Sequence, residues 1–290
     1  MNLLNRKKNL PSLNAYAVVT GAGSGIGRSF ALEISRRKGV VVCADLKLES
    51  AQETVRLIEE QGGTAYAVAC DVGVAEQVEQ LAEQAEMLMG HPVTLLINNA
   101  GVGLGGKIEE TTLEDWRWCM NVNLWGVIHG CHVFTPRLRK RAAMGAQAAQ
   151  RALGVKKFNK QLGVINVAST ASFAAAPLMG PYNATKAAAL AVSETLAAEL
   201  TGTGIRVTAL CPTFVKTNIA KDGRIPSETS RLAQKMMDWT GVSPESVAQK
   251  TLNAIDAGEL YVLPQLDART LWRMKRLAPA LYTSGAGLLN

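Results

Sequence analysis

Apolar residues follow two rhythms along this chain. Short candidate strands, most of them rich in Val and Ile without polar alternation, fall at Ala15–Thr20, Val40–Asp45, Thr64–Ala69, Val93–Asn98, Gly163–Ala168, Ile205–Cys211 and Leu260–Leu263. Strands buried on both faces need runs of that kind. Between them, helical segments are expected near Ile26–Lys38, Ser50–Gln61, Ala75–Met89, Leu113–Arg141, Tyr182–Leu200 and Pro244–Ala257. This alternation predicts an α/β fold, a doubly wound parallel sheet of about seven strands with helices on both faces. No repeat or linker interrupts it, so residues 1–290 are expected to form a single domain. The stretch from Thr217 to Gly241 breaks the rhythm and is expected to be a mobile insertion over a site.

The first strand runs into Thr20-Gly21-Ala22-Gly23-Ser24-Gly25-Ile26-Gly27, which opens the first helix. Glycines there let the backbone turn sharply and approach a pyrophosphate, whose charge is favoured at a helix N-terminus. Asp45 ends the second strand 18 residues beyond Gly27, near the distance at which an acid meets the adenosine ribose hydroxyls of a dinucleotide. A carboxylate in that place repels a 2′-phosphate, so NAD is favoured over NADP, with Arg28 and Lys47 as the nearby opposing charges.

Tyr182-Asn183-Ala184-Thr185-Lys186 opens a later helix. A spacing of four puts Tyr182 and Lys186 on one face. An ammonium beside a phenol is expected to lower the tyrosine pKa, as general acid/base catalysis needs. Ser169, thirteen residues before Tyr182 at a strand end, could donate a hydrogen bond to a carbonyl oxygen.

Together these residues resemble the short-chain dehydrogenase/reductase family in its compact, single-domain Rossmann branch. The resemblance rests on Thr20-Gly21-x-x-x-Gly25-x-Gly27, Asn98-Asn99-Ala100-Gly101, Asn123, Ser169, Tyr182-x-x-x-Lys186 and Pro212 with Thr217, in order over residues 14 to 263. It implies that Tyr182 exchanges a proton with the substrate oxygen, that Lys186 lowers the tyrosine pKa and holds the nicotinamide ribose, and that Ser169 orients the substrate oxygen. Asn123 would support a water-linked proton relay. The implied cofactor contacts are Thr20, Gly21, Ser24, Gly25, Ile26, Gly27, Asp45, Asp71, Val72, Asn99, Ala100, Gly101, Tyr182, Lys186, Pro212, Thr213, Val215 and Thr217. A homodimer or homotetramer is implied as well. Two features depart from the family: Thr213 stands where glycine is common, and Arg137–Leu162 is roughly fifteen to twenty residues longer than the same connection in compact members.

That insertion also explains the charge. The formal charge is +7, yet eight basic residues and no acid lie between Arg137 and Lys160, and the remainder is nearly balanced. The basicity is thus local, and a nucleic-acid-binding fold is not expected. The insertion is either a solvated protrusion or a dock for an acidic partner or anionic membrane surface. In the tail, about residues 265–290, Leu271, Met274, Leu277 and Leu281 share a helical face ringed by Arg269, Arg273, Lys275 and Arg276. Such a helix packs on its own domain or a neighbouring subunit, or lies on a membrane surface. Phe173, Leu178, Met179, Phe214, Met236, Met237 and Trp239 are expected near the cleft, which suggests a bulky lipophilic or aromatic alcohol.

Apolar residues at 48% and charged residues at 19% exclude disorder. Five cysteines without a C-x-x-C pair suggest reduced thiols and a cytoplasmic setting. His129 and His132 lack the partners of a metal site, and none is expected. The reading is an NAD(P)-dependent oxidoreductase interconverting a secondary alcohol and a ketone. Its rivals are an NADPH-dependent 3-oxoacyl-carrier-protein-type ketoreductase and, in another class, a cofactor-binding scaffold or redox sensor.

Overall fold

The computed structural model describes residues 10–153, 162–217, 219, 223–226, 239 and 241–287. Seven strands form one parallel sheet: β1 (Tyr16–Thr20), β2 (Val40–Asp45), β3 (Thr64–Ala69), β4 (Leu95–Asn98), β5 (Leu162–Val167), β6 (Ile205–Leu210) and β7 (Tyr261–Val262), in the order β3-β2-β1-β4-β5-β6-β7. The order reverses between β1 and β4, where Val18 lies beside Val42 on one side and Leu96 on the other. Ligands of open α/β sheets bind at the strand ends beside such a switch point.

Helices cover both faces, as the two-sided burial of the strands requires. On one face α1 (Gly25–Arg36), α2 (Leu48–Glu59) and α8 (Pro244–Ala257) pack Phe30, Ile34, Ile58, Leu252 and Ile255 against Val19, Val41 and Ile97. On the other, α3 (Ala75–Met89), α5 (Gly126–Leu153) and α7 (Gly180–Glu199) pack Leu81, Phe134, Leu138 and Leu196 against Val18, Val42 and Leu96. The five cysteines are free and buried. Among the described residues no helix is long and apolar enough to cross a membrane.

Two departures from the sequence pattern matter later. The helix expected over Leu113–Arg141 is three pieces: α4 (Leu113–Met120), a π-helical turn at Asn121–Trp125, and α5, which runs on to Leu153 into the basic insertion. A π turn inside a helix changes which side chains face inward, and periodicity carries no sign of it. The tail is also two helices, α9 (Leu266–Leu277) and α10 (Pro279–Gly287). Pro279 forces Ala278 out of helical geometry, at φ −142° and ψ 66°. A short helix, α6 (Ala171–Ala174), follows β5.

Candidate active site

The turn after β1 and the turn after β4 are stitched across the switch point. The buried Thr20 hydroxyl accepts from the backbone N–H groups of Asn99 at 3.0 Å and Ala100 at 3.1 Å. In return, Asn99 Nδ2 donates to the carbonyls of Thr20 at 2.9 Å and Gly21 at 3.1 Å. Gly27 closes the turn: a Cβ on it would stand 2.0 Å from the Gly21 carbonyl oxygen, so only glycine fits. Ser24, the N-cap of α1, makes no side-chain capping bond, and the first turn holds no acid. The leading N–H groups of α1, at Gly25, Ile26 and Gly27, are therefore suited to an anion.

The adenosine end lies along the ends of β2 and β3. Asp45 accepts from the N–H of Gly23 at 2.9 Å and of Lys47 at 3.0 Å. Asp71 accepts from Gly73 N–H at 2.8 Å, and Val72 beside it is buried. Arg28 donates to the Gly23 carbonyl and, at 3.0 Å, to Thr54 Oγ1, so its guanidinium braces the glycine turn. Lys47 is exposed.

The reacting group gathers at the ends of β4 and β5. Ser169 lies two residues past β5 and is buried, its Oγ accepting from Ala171 N–H at 3.1 Å. Tyr182 and Lys186 occupy the first turns of α7, which Pro181 starts by supplying a pre-set φ. Lys186 Nζ donates to the Val167 carbonyl at 2.9 Å and stands 5.8 Å from the centre of the Tyr182 ring. Asn123, fully buried in the π turn, uses its amide as a strand would: Oδ1 accepts from Val102 N–H at 2.8 Å and Nδ2 donates to Val102 O at 2.9 Å. A Cβ on Gly101 would lie 3.0 Å from Asn123 Oδ1 and 3.3 Å from Lys186 Nζ, so Asn123, Gly101 and Lys186 meet. Just before α7, Ala175 and Leu178 hold left-handed backbone, φ 51° and 59°, the kind of strain that clusters at working sites.

One expectation reverses here. Tyr182 is not lowered; burial pushes its phenol up to about 12, opposed by the neighbouring Ser169 hydroxyl. Burial likewise brings Lys186 down to about 8. Removing water is the larger effect on both groups, because it disfavours the charged phenolate and the charged ammonium alike.

Pro212, Thr213, Val215 and Thr217 line the third side. The Pro212 carbonyl accepts from Thr170 N–H at 2.9 Å, and Val215 bridges to Val242. The Thr217 methyl lies against Gly25, 3.0 Å from where its Cβ would stand. A cleft of about 450 Å³ opens between the segment after β4 and residues 223–226, lined by Leu104, Thr111, Asp115, Arg224, Ile225 and Pro226 among others. Arg224 pairs with Asp115 and stacks 4.3 Å from the centre of the Trp118 ring. Sequence reading missed this Arg224–Asp115 pair because its members are 109 positions apart.

The expected apolar wall is assembled differently. Phe173 is taken up by Trp272, edge-to-face at 4.7 Å, and Trp239 is 88% exposed. Met236 and Met237, with most of the stretch from Thr217 to Gly241, lie outside the described residues. In the tail, Leu271 and Trp272 turn toward the protein, whereas Leu277 is 85% exposed and Met274 is 46% exposed. The face expected from Leu271, Met274 and Leu277 is thus split, because the larger indole takes the inward side; the Leu281 side chain lies outside the described residues. In the insertion, Arg137 pairs with Glu79 of α3 and Arg139 donates to the Glu199 carbonyl at 3.0 Å, so part of its charge is already engaged. Lys156, Lys157 and Lys160 lie outside the described residues.

A parallel sheet with a glycine turn at its switch point defines a dinucleotide-dependent class of protein, and the comparisons narrow it. The short chain dehydrogenase family profile matches residues 15–226, and the chain belongs to this family. It is 32% identical to a short chain dehydrogenase/reductase from Burkholderia phymatum solved with NAD, with a TM-score of 0.81, covering 91% of this chain and 94% of that one. It is 31% identical over 273 residues to 1-deoxy-11-beta-hydroxypentalenate dehydrogenase of Streptomyces exfoliatus, covering 91% of this chain and 90% of that protein. A third relative, the probable oxidoreductase EphD of Mycobacterium tuberculosis, is 31% identical over 280 residues; the match covers 93% of this chain and 44% of the length of EphD.

Proposed function

We propose that this protein interconverts a secondary alcohol and a ketone, with Tyr182 as the proton-exchanging group and NAD preferred over NADP. The observation that carries the reading is the meeting of Ser169, Tyr182 and Lys186, with Asn123 behind Gly101, at strand ends beside the switch point. The residues fit a dinucleotide: the uncapped, acid-free start of α1 suits a pyrophosphate, and Asp45 suits ribose hydroxyls. When bound, the nicotinamide supplies the hydride chemistry.

The chain's own groups supply position and the proton. Burial keeps the Tyr182 phenol protonated near neutrality, ready to protonate a carbonyl oxygen in reduction. Ser169 donates to the same oxygen and holds it against the phenol. In the oxidative direction the phenol must give up its proton first, and Lys186 is a positive charge that favours this. The hydroxypentalenate named for the Streptomyces relative supports a bulky lipophilic substrate. A homodimer or homotetramer is the proposed assembly.

Cofactor preference follows from charge. Asp45 opposes a 2′-phosphate, and Arg28 is already committed to Gly23 and Thr54. Fluorescence titration should find NADH bound more tightly than NADPH. In Asp45→Asn, which keeps shape and removes charge, the ratio should narrow by about tenfold. Tighter NADPH binding by the wild type would reject the preference and move the ketoreductase reading ahead.

A further inference from the structure

The structure gives Thr213, where the family commonly has glycine, a set of partners at the start of the C-terminal helix α9. Its backbone N–H donates to Gln265 Oε1 at 3.2 Å, while Gln265 Nε2 donates to the Phe214 carbonyl at 3.0 Å. One side-chain amide thus grips the backbone of two successive residues. The Thr213 hydroxyl adds a contact that glycine could not make, to Asp267 Oδ1 at 3.1 Å. Asp267 Oδ1 also accepts from Ala268 N–H at 2.7 Å, which fixes its orientation. Gln265 is 8% exposed, so water competes little for its bonds.

The helix that Gln265 caps is itself anchored. Trp272 meets Phe173 edge-to-face and packs beside Tyr261 at 5.1 Å, and the Arg276 guanidinium lies 3.3 Å from the indole centre. From α10, the Tyr282 hydroxyl donates to the Ala174 carbonyl at 2.7 Å. The gripped backbone lies between the two halves of the site. On one side Pro212 O holds Thr170 N–H, next to Ser169; on the other the chain leads to Thr217, against Gly25.

We propose that Gln265, assisted by Asp267, is a positioning residue that fixes the 213–217 backbone on the nicotinamide side of the site. The proposal rests on the dinucleotide reading above. Gln265 acts through Thr213 and Phe214, and the defect on losing it is confined to one end of the cofactor.

The test compares NADH with ADP-ribose, which lacks the nicotinamide, by titration calorimetry. Gln265→Met keeps the length of the side chain and removes both bonds. It should weaken NADH by about tenfold and leave ADP-ribose unchanged. Thr213→Val removes only the hydroxyl and should weaken NADH by about threefold, again with ADP-ribose unchanged; it carries the test if Gln265→Met does not fold. Equal weakening of both ligands, or of neither, overturns the positioning role. Wild-type protein that binds neither ligand overturns the dinucleotide reading itself.

Discussion

Phenylalanine at position 182 should lower turnover of any alcohol the wild type oxidises by roughly 10²–10⁴-fold, the usual contribution of a positioned general acid/base, with NADH affinity little changed. The substitution removes one oxygen and keeps the ring. Lys186 keeps its bond to the Val167 carbonyl, and Asn123 keeps its hold on Val102, because neither depends on the phenol. The glycine turn and Asp45 are on other strands, so all but one of the implied cofactor contacts are left intact. Measuring NADH affinity and kcat on the same preparation separates chemistry from binding. A variant that keeps the wild-type kcat would remove Tyr182 from the mechanism. Loss of NADH binding together with activity would mean that the ring oxygen has a structural role.

Stability should fall steeply above about pH 9, the second large effect expected. Burial pushes Cys43, Cys70 and Cys211 up to about 12 and Cys131 to about 11, and it raises Cys119 as well. In the unfolded chain these thiols ionise near the ordinary thiol value of 9.0. A group whose folded pKa is raised stabilises the protein fully below the unfolded pKa and loses that contribution as pH climbs through the folded one. Here the window runs from about 9 to about 12. Each of the four thiols carried to about 11 or 12 contributes a slope of up to ~1.4 kcal/mol per pH unit in that window, which is large beside a typical ~5–15 kcal/mol domain stability.

Lys186 works the other way. Its pKa is lowered from 10.5 to about 8, so its contribution grows as pH rises between those values and offsets one thiol of the five. Urea melts between pH 8 and 10.5, under reducing conditions, should show the midpoint dropping. In Cys43→Ala the drop should be shallower by one thiol's share. A midpoint constant over that range would mean that the thiols gain water in the folded state.

Much of the fold was legible because its signals are local. Ala75–Met89 and Pro244–Ala257 have the same bounds in sequence pattern and structure, since their stops are written in single residues. Gly90 and Gly258 take left-handed backbone at the C-termini, Ser243 caps α8 through the Ser246 N–H, and Pro244 begins it. Val40–Asp45 and Thr64–Ala69 match equally well. The glycine turn, Asp45 and the Tyr182/Lys186 spacing were legible for the same reason: each is a motif of a few consecutive positions attached to a strand or helix end.

What the sequence by itself determined was therefore the alternation, the parallel sheet and the residue types gathered at its switch point. Only the tertiary structure decided how those residues are poised. Tyr182 is raised rather than lowered because folding takes water from its phenol, and no spacing reports desolvation. The π turn that buries Asn123, the inward choice of Trp272 over Met274 and the grip of Gln265 on Thr213 are likewise contacts between distant elements. Local pattern fixes which side chains an element presents; which of them lose water, and to what partner, depends on what else arrives beside it.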